Sequence, residues 1–341
     1  MRQPNPAYNK VDEAEVEVMM NDERTDTFAL GLYFDVIVDK TLQPTYVLKS
    51  FVQRSHKEKG FLGDTVLNLA NWWARRKRNR LYEEVKESYP DRIRIVSEGD
   101  SWFQHPLVND IIDHLHRTYA VYCVAAAGDT LRNMQGVGSK QGEYYLDAIE
   151  REKPAFFLIS AGGNDILGAQ FRNYLNDTFD EAGEGEKAKR FLRDAIFKEM
   201  DSLADIYRQL FRHLKETHPE LQVIVHGYDY PVKLDDDKKG WLGRYMIEKG
   251  IKRPGDRKAI IQLIMDDFNR RLKEVATEFD TVIYIDLRGT VRYNPDEKVD
   301  QWYDEIHPNN DGFQQVAMKF MERISGKVAQ KTASASETVG E

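Results

Sequence analysis

One cysteine, Cys123, in 341 residues excludes an intrachain disulfide framework. Its place inside the run Tyr119-Ala120-Val121-Tyr122-Cys123-Val124 reads as a buried strand residue rather than a thiol nucleophile. No stretch approaches the roughly eighteen apolar residues of a membrane-spanning helix. The opening Met1-Arg2-Gln3-Pro4-Asn5-Pro6 lacks the charged-then-apolar pattern of a secretion signal, so a cytoplasmic location is expected. Also missing are a Gly-x-Ser-x-Gly elbow, a Walker glycine loop, a Gly-x-Gly-x-x-Gly fingerprint and a His-Glu-x-x-His helix. Those absences point away from phosphate-cradling, dinucleotide-binding and zinc-peptidase chemistry, and neither cofactor nor metal is expected. His114 and His116 lie two apart on a predicted helix, where they face different ways and make a poor metal pair.

Positive charge is in deficit. A net charge of −8 argues against coating nucleic acid or anionic membrane. Oligomeric state is not readable from the sequence. Arg75-Arg76-Lys77-Arg78-Asn79-Arg80 is the one basic cluster, and beside Leu67, Trp72, Trp73 and Leu81 it reads as the solvated face of an amphipathic helix. A hydrophobic content of 41% with 31% charged residues is that of a soluble globular protein with a large core.

Residues 1–27 are polar and acidic and read as a poorly ordered lead-in. Residues 28–90 read as a small α+β extension: a strand from Phe28 to Val38, a turn through Pro44, a strand from Thr45 to Val52, and a helix from Asp64 to Ser88 with Pro90 past its end. Residues 91–325 carry a different pattern. Short Val, Ile, Phe and Tyr runs at 92–97, 119–125, 155–160, 221–227 and 281–286 alternate with helical stretches near 107–117, 141–152, 186–217, 257–279 and 311–325. That alternation predicts a three-layer α/β/α sandwich around a parallel five-stranded sheet. A mobile acidic loop is expected within 168–187, and Asp235-Asp236-Asp237 is read as a surface capping run. Trp241, Leu242, Tyr245, Met246 and Ile247 follow, and their apolar character leans towards an acyl chain or another apolar group in the substrate. Residues 326–341 have no apolar periodicity and are expected to be disordered.

The residues with chemical potential sit at the predicted strand ends. Ile93 to Ser97 runs into Glu98-Gly99-Asp100-Ser101-Trp102, delivering a serine at the carboxyl edge of the sheet. Gly128 follows the second strand, Gly162-Gly163-Asn164-Asp165 follows the third, and Asp304-Glu305-Ile306-His307-Pro308 precedes the last helix. His307 suits a general base and Asp304 its orienting acid. The N–H groups of Ser101 and Gly128 and the Asn164 amide suit an oxyanion site. Asp100, Trp102, His105, Asp165 and His226 are candidates for a supporting shell.

These four blocks, over about residues 92–325, resemble the SGNH, or GDSL, hydrolase superfamily. The resemblance implies a flavodoxin-like sheet order, Ser101 as nucleophile, Asp304 and His307 completing its triad, and an oxyanion hole of Ser101, Gly128 and Asn164. Cleavage of a carboxylic ester, an acyl lipid among the options, through an acyl-enzyme is the expected activity. The alternatives are an acyltransferase using the same intermediate and a non-catalytic interaction module. Trp102 stands where many members have leucine, and the first 90 residues lie outside the resemblance.

Overall fold

The computed structural model describes residues 34–38, 44–48 and 64–338, less 106–107, 136–139, 169, 177–186, 236–239 and 241. Strand β1 (Phe34–Val38) pairs antiparallel with β2 (Pro44–Leu48), and helix α1 (Asp64–Ser88) follows. The lead-in at 1–27, the remaining parts of the expected strands at 28–33 and 49–52, and the acidic stretch Asp180 to Glu186 lie outside the described residues.

Five strands then alternate with helices. They are β3 (Arg94–Gly99), β4 (Ala120–Cys123), β5 (Phe156–Ser160), β6 (Gln222–His226) and β7 (Val282–Ile285). All four pairings are parallel, in the order β4-β3-β5-β6-β7. Every residue of β5 and β6 is buried, as a parallel sheet covered on both faces requires. Between β3 and β4 lies α2 (Ile111–Leu115), and between β4 and β5 lies α3 (Lys140–Glu152). The short α4 (Gly163–Leu167) and α5 (Phe171–Tyr174) follow β5 ahead of the long α6 (Asp194–Thr217). A short α7 (Gly243–Glu248) and α8 (Pro254–Thr277) connect β6 to β7, and α9 (Asn310–Thr338) closes the chain.

Right-handed crossovers put α3, α6 and α8 on one face and α2 on the other, where α9 packs against it. The buried face of α6, with Ile196, Met200, Leu203, Tyr207, Leu210 and Leu214, has the spacing of an amphipathic helix on a sheet. This is a three-layer α/β/α sandwich. Because β3 has β4 on one side and β5 on the other, the chain leaves it at the point where strand order reverses, and ligand crevices form outside the carboxyl ends of strands there. Ser101 stands just past β3.

Helix α1 lies along β4, an edge of the sheet. The Asn79 side-chain oxygen accepts the Cys123 N–H at 2.9 Å. Tyr82 is buried edge-on against Tyr122, and its hydroxyl donates to Glu152 at 2.6 Å beside Lys86 at 2.7 Å. The reading of Arg75 to Arg80 as a solvated face is therefore corrected in part: Arg78 is buried. The inward face of α1 is mixed: Tyr82 and Val85 pack on Ala120, while Arg78 and Asn79 meet the backbone groups and carboxylates that a sheet edge offers. The expected disordered tail is also corrected, since α9 continues through residues 326–338. Lys, Ala and Gln favour helix, no proline intervenes, and Val328 still packs against the core.

Candidate active site

The turn after β3 is held by its own aspartate. Asp100 Oδ1 accepts the Trp102 N–H at 3.0 Å and the Ser160 hydroxyl at 2.8 Å, while Oδ2 accepts the Tyr228 hydroxyl. Burial pushes the Asp100 carboxyl up to about 6 although all three donors favour the ionised form. Gly99 is required by space, because a Cβ there would meet the Phe103 ring and the Ser160 Cβ at 2.9 Å. A rigid, crowded turn thus projects Ser101 from the sheet edge.

Ser101 Oγ lies 2.7 Å from His307 Nε2, and His307 Nδ1 lies 2.8 Å from Asp304 Oδ2. Asp304 Oδ1 accepts the N–H groups of Ile306 at 2.9 Å and His307 at 2.8 Å. Burial alone would raise the Asp304 carboxyl, but His307 and these donors hold it below the ordinary carboxylate range. An ionised carboxylate only accepts, so Nδ1 carries the imidazole proton and the Nε2 lone pair faces the serine hydroxyl. The next residue, Glu305, is buried and accepts the N–H groups of Leu242 and Gly243, each at 2.7 Å. It pins the start of α7 to the loop that carries His307.

On the other side of Ser101, Asn164 Nδ2 donates to the Asp129 carbonyl at 2.7 Å. That bond spends one of the two amide hydrogens. Gly128, at φ 82°, forms the left-handed turn just before Asp129, and the Asp165 carboxylate accepts the Leu131 N–H at 2.7 Å. The loop after β4 and the start of α4 are therefore fastened together by Asn164 and Asp165. Burial pushes the Asp165 carboxyl up to about 6. The preceding Gly162, at φ 95°, lies against the Phe268 ring.

Ser101, His307, Asn164, Asp100 and Trp102 line one cavity of about 40 Å³, whose apolar wall includes Leu167, Pro231, Met265 and Ile306. His105 sits outside it, edge-on to the His307 ring at 4.9 Å between centroids. Its ring nitrogen Nδ1 accepts the Val108 N–H at 3.2 Å, and burial followed by the neighbouring His307 lowers it to about 3. His226 lies behind the site, stacked on Trp102 at 5.7 Å, and burial lowers it to about 4. Sequence reasoning assigned no role to Ser160, Tyr228 or Glu305. The Tyr228 hydroxyl on Asp100 joins residues 128 apart in the chain, which no local motif signals. Of the residues on which the acyl-chain lean rested, Leu242, Tyr245 and Met246 are buried in the core, Ile247 is half-buried, none of these four lines the cavity, and Trp241 lies outside the described residues. Among the described residues, His105, Asp304 and His307 have donor atoms within 4.8 Å of one another, close enough to attract a metal ion. Both His307 nitrogens, however, are already engaged with Ser101 and Asp304.

A sheet with its crevice at the switch point and a Ser-His-Asp chain opening into it has the form of a hydrolase. The sequence profile of the GDSL-like Lipase/Acylhydrolase family matches residues 97–315, and the chain belongs to that family, whose members act on ester bonds. No curated protein matches. Solved structures similar to this chain include an extracellular lipase from Streptomyces rimosus, at 14% identity over 67% of this chain and 99% of that one, TM-score 0.43. Phospholipase A1 from Streptomyces albidoflavus NA297 has 14% identity over 68% and 99%, TM-score 0.43. The lipase Lip_vut3 from a goat rumen metagenome has 13% identity over 67% and 96%, TM-score 0.44. Among the described residues no helix is long and apolar enough to cross a membrane.

Proposed function

We propose that the protein is a serine esterase that removes a short acyl group from a carboxylic ester through an acyl-enzyme. The observation that carries this reading is the continuous bond chain from Ser101 Oγ through His307 to Asp304 at the floor of a cavity. Ser101 Oγ attacks the ester carbonyl as His307 Nε2 takes its proton, and Asp304 stabilises the imidazolium. The carbonyl oxygen, now an oxyanion, is met by the N–H groups of Ser101 and Gly128 and the second amide hydrogen of Asn164. As the carbonyl re-forms, the ester C–O bond breaks and His307 returns the proton to the departing alcohol. Water, deprotonated by His307, then releases the acid and restores Ser101.

The cavity beside Ser101 supports a short acyl group. Its volume of about 40 Å³ has room for about three water-sized atoms, the size of an acetyl group. Purified protein should turn over p-nitrophenyl acetate at least tenfold faster, in kcat/KM, than the octanoate. A fluorophosphonate probe should label Ser101 in the wild type and leave Ser101→Ala unlabelled and inactive. Undiminished hydrolysis by Ser101→Ala would overturn the reading, and an octanoate preference would overturn its short-acyl part.

A further inference from the structure

We propose that Arg78, carried by α1 and outside the family-matched residues, is a positioning residue for the nucleophile turn. The inference rests on the esterase reading of Ser101. All five N–H donors of the buried guanidinium are used. Nη1 donates to the Phe103 carbonyl and to Gln104 Oε1, both at 2.6 Å. Nη2 donates to Asp110 Oδ2 at 2.6 Å and Asp113 Oδ2 at 2.8 Å, and Nε reaches Asp113 Oδ1 at 3.3 Å.

These partners are not scattered. Phe103 and Gln104 close the turn that begins at Asp100, their N–H groups both bonding to its carbonyl at 3.1 and 2.9 Å. Asp110 Oδ2, besides taking Arg78, accepts the N–H of His105 at 2.7 Å, and Oδ1 caps α2 through Ile112. The guanidinium therefore ties residues 103–105 to the start of α2. That segment follows Ser101 directly and carries the ring that lies edge-on to His307. Only a planar fork with donors on both sides can hold a carbonyl, an amide and two carboxylates at once, and an ammonium cannot span them. Since displacements of about 1 Å remote from the chemistry can cost on the order of a hundredfold in rate, the bond set acts on where Ser101 stands relative to His307.

The test uses the full chain carrying Arg78→Ala and Arg78→Lys, with wild type and Ser101→Ala as controls. Each is assayed for p-nitrophenyl acetate kinetics, for the second-order rate of fluorophosphonate labelling, and for thermal melting. The expected result for folded Arg78→Ala is a fall in kcat of about a hundredfold with KM within threefold, and a parallel fall in labelling rate. Methylguanidinium at millimolar concentration should restore at least tenfold of the lost kcat, whereas methylammonium should not. Arg78→Lys should lose at least tenfold in both rates, and it decides the matter if the alanine variant does not fold. Rates within twofold of wild type in a folded Arg78 variant overturn the proposal. So does a loss confined to melting temperature. If hydrolysis survives Ser101→Ala, the esterase reading itself fails and this inference falls with it, an outcome distinct from the failure of Arg78 alone.

Discussion

Replacing Asp304 by asparagine removes one proton acceptor and changes almost nothing else. The N–H groups of Ile306 and His307, at 2.9 and 2.8 Å from Oδ1, would hold the new amide oxygen where Oδ1 now lies. The amide NH2 is then turned toward His307 Nδ1, in place of the carboxylate oxygen at 2.8 Å. Two donors cannot share that bond, so the imidazole must carry its proton on Nε2 instead. There it faces the Ser101 hydroxyl, now at 2.7 Å, with no lone pair to receive the serine proton. The loss expected is on the order of 10⁴ in kcat, about 5.5 kcal/mol of activation free energy, with KM within about threefold. Initial rates of p-nitrophenyl acetate hydrolysis measure it directly. Because the folded Asp304 carboxyl titrates below its ordinary 3.8, its contribution to stability is present at pH 7 and fades as pH falls through the folded value. The variant should accordingly melt below wild type at pH 7 and approach it as pH falls through the folded value. More than a tenth of wild-type kcat in the folded variant would refute the tautomer argument.

Asn164→Ala should lower kcat by roughly 10² to 10³ with little change in KM, because the amide hydrogen left over from the Asp129 bond is the one assigned to the oxyanion; unchanged kcat would remove Asn164 from that role. Gly162→Ala forces a Cβ onto a residue at φ 95° and to within 2.8 Å of the Phe268 ring. The cost should be about 2–4 kcal/mol, a drop of roughly 3–6 °C in melting temperature, readable by calorimetry. Glu98, fully buried with Oε2 unpartnered, has its carboxyl pushed well above 4.5 by burial and then by Asp129. The stability linked to it is present below the unfolded value and is lost as pH rises through the folded one. Glu98→Gln keeps an acceptor for the Gly99 N–H, so it should raise the melting temperature at pH 8 and flatten its dependence on pH between 5 and 8.

The sheet was legible because its central strands are buried on both faces and read as continuous apolar runs, such as Phe156-Phe157-Leu158-Ile159. The residues around Ser101 were legible one strand end at a time, since each depends on a local turn: a glycine with no room for a Cβ, or an aspartate that caps its own loop. What was hidden depends on contacts far apart in sequence. Tyr228 reaches Asp100, and Glu305 draws Leu242 and Gly243 inward, so Leu242, Tyr245 and Met246 join the core. A short apolar helix looks the same whether it faces substrate or interior. Helix α1 deceived for the opposite reason, because the face it turns to the body carries Arg78 and Asn79, and apolar periodicity does not register a polar seam.

The Asn79 amide oxygen on Cys123 has a consequence for how the chain can be handled. It occupies a backbone N–H of an edge strand that would otherwise be open to a strand from another molecule. A fragment trimmed to the family profile, beginning at residue 97, would keep Ser101 and His307 but also cut into β3 and shed this guard. Such a fragment should recruit its own copies along the bared ladder and precipitate, whereas the chain with α1 in place keeps that margin closed.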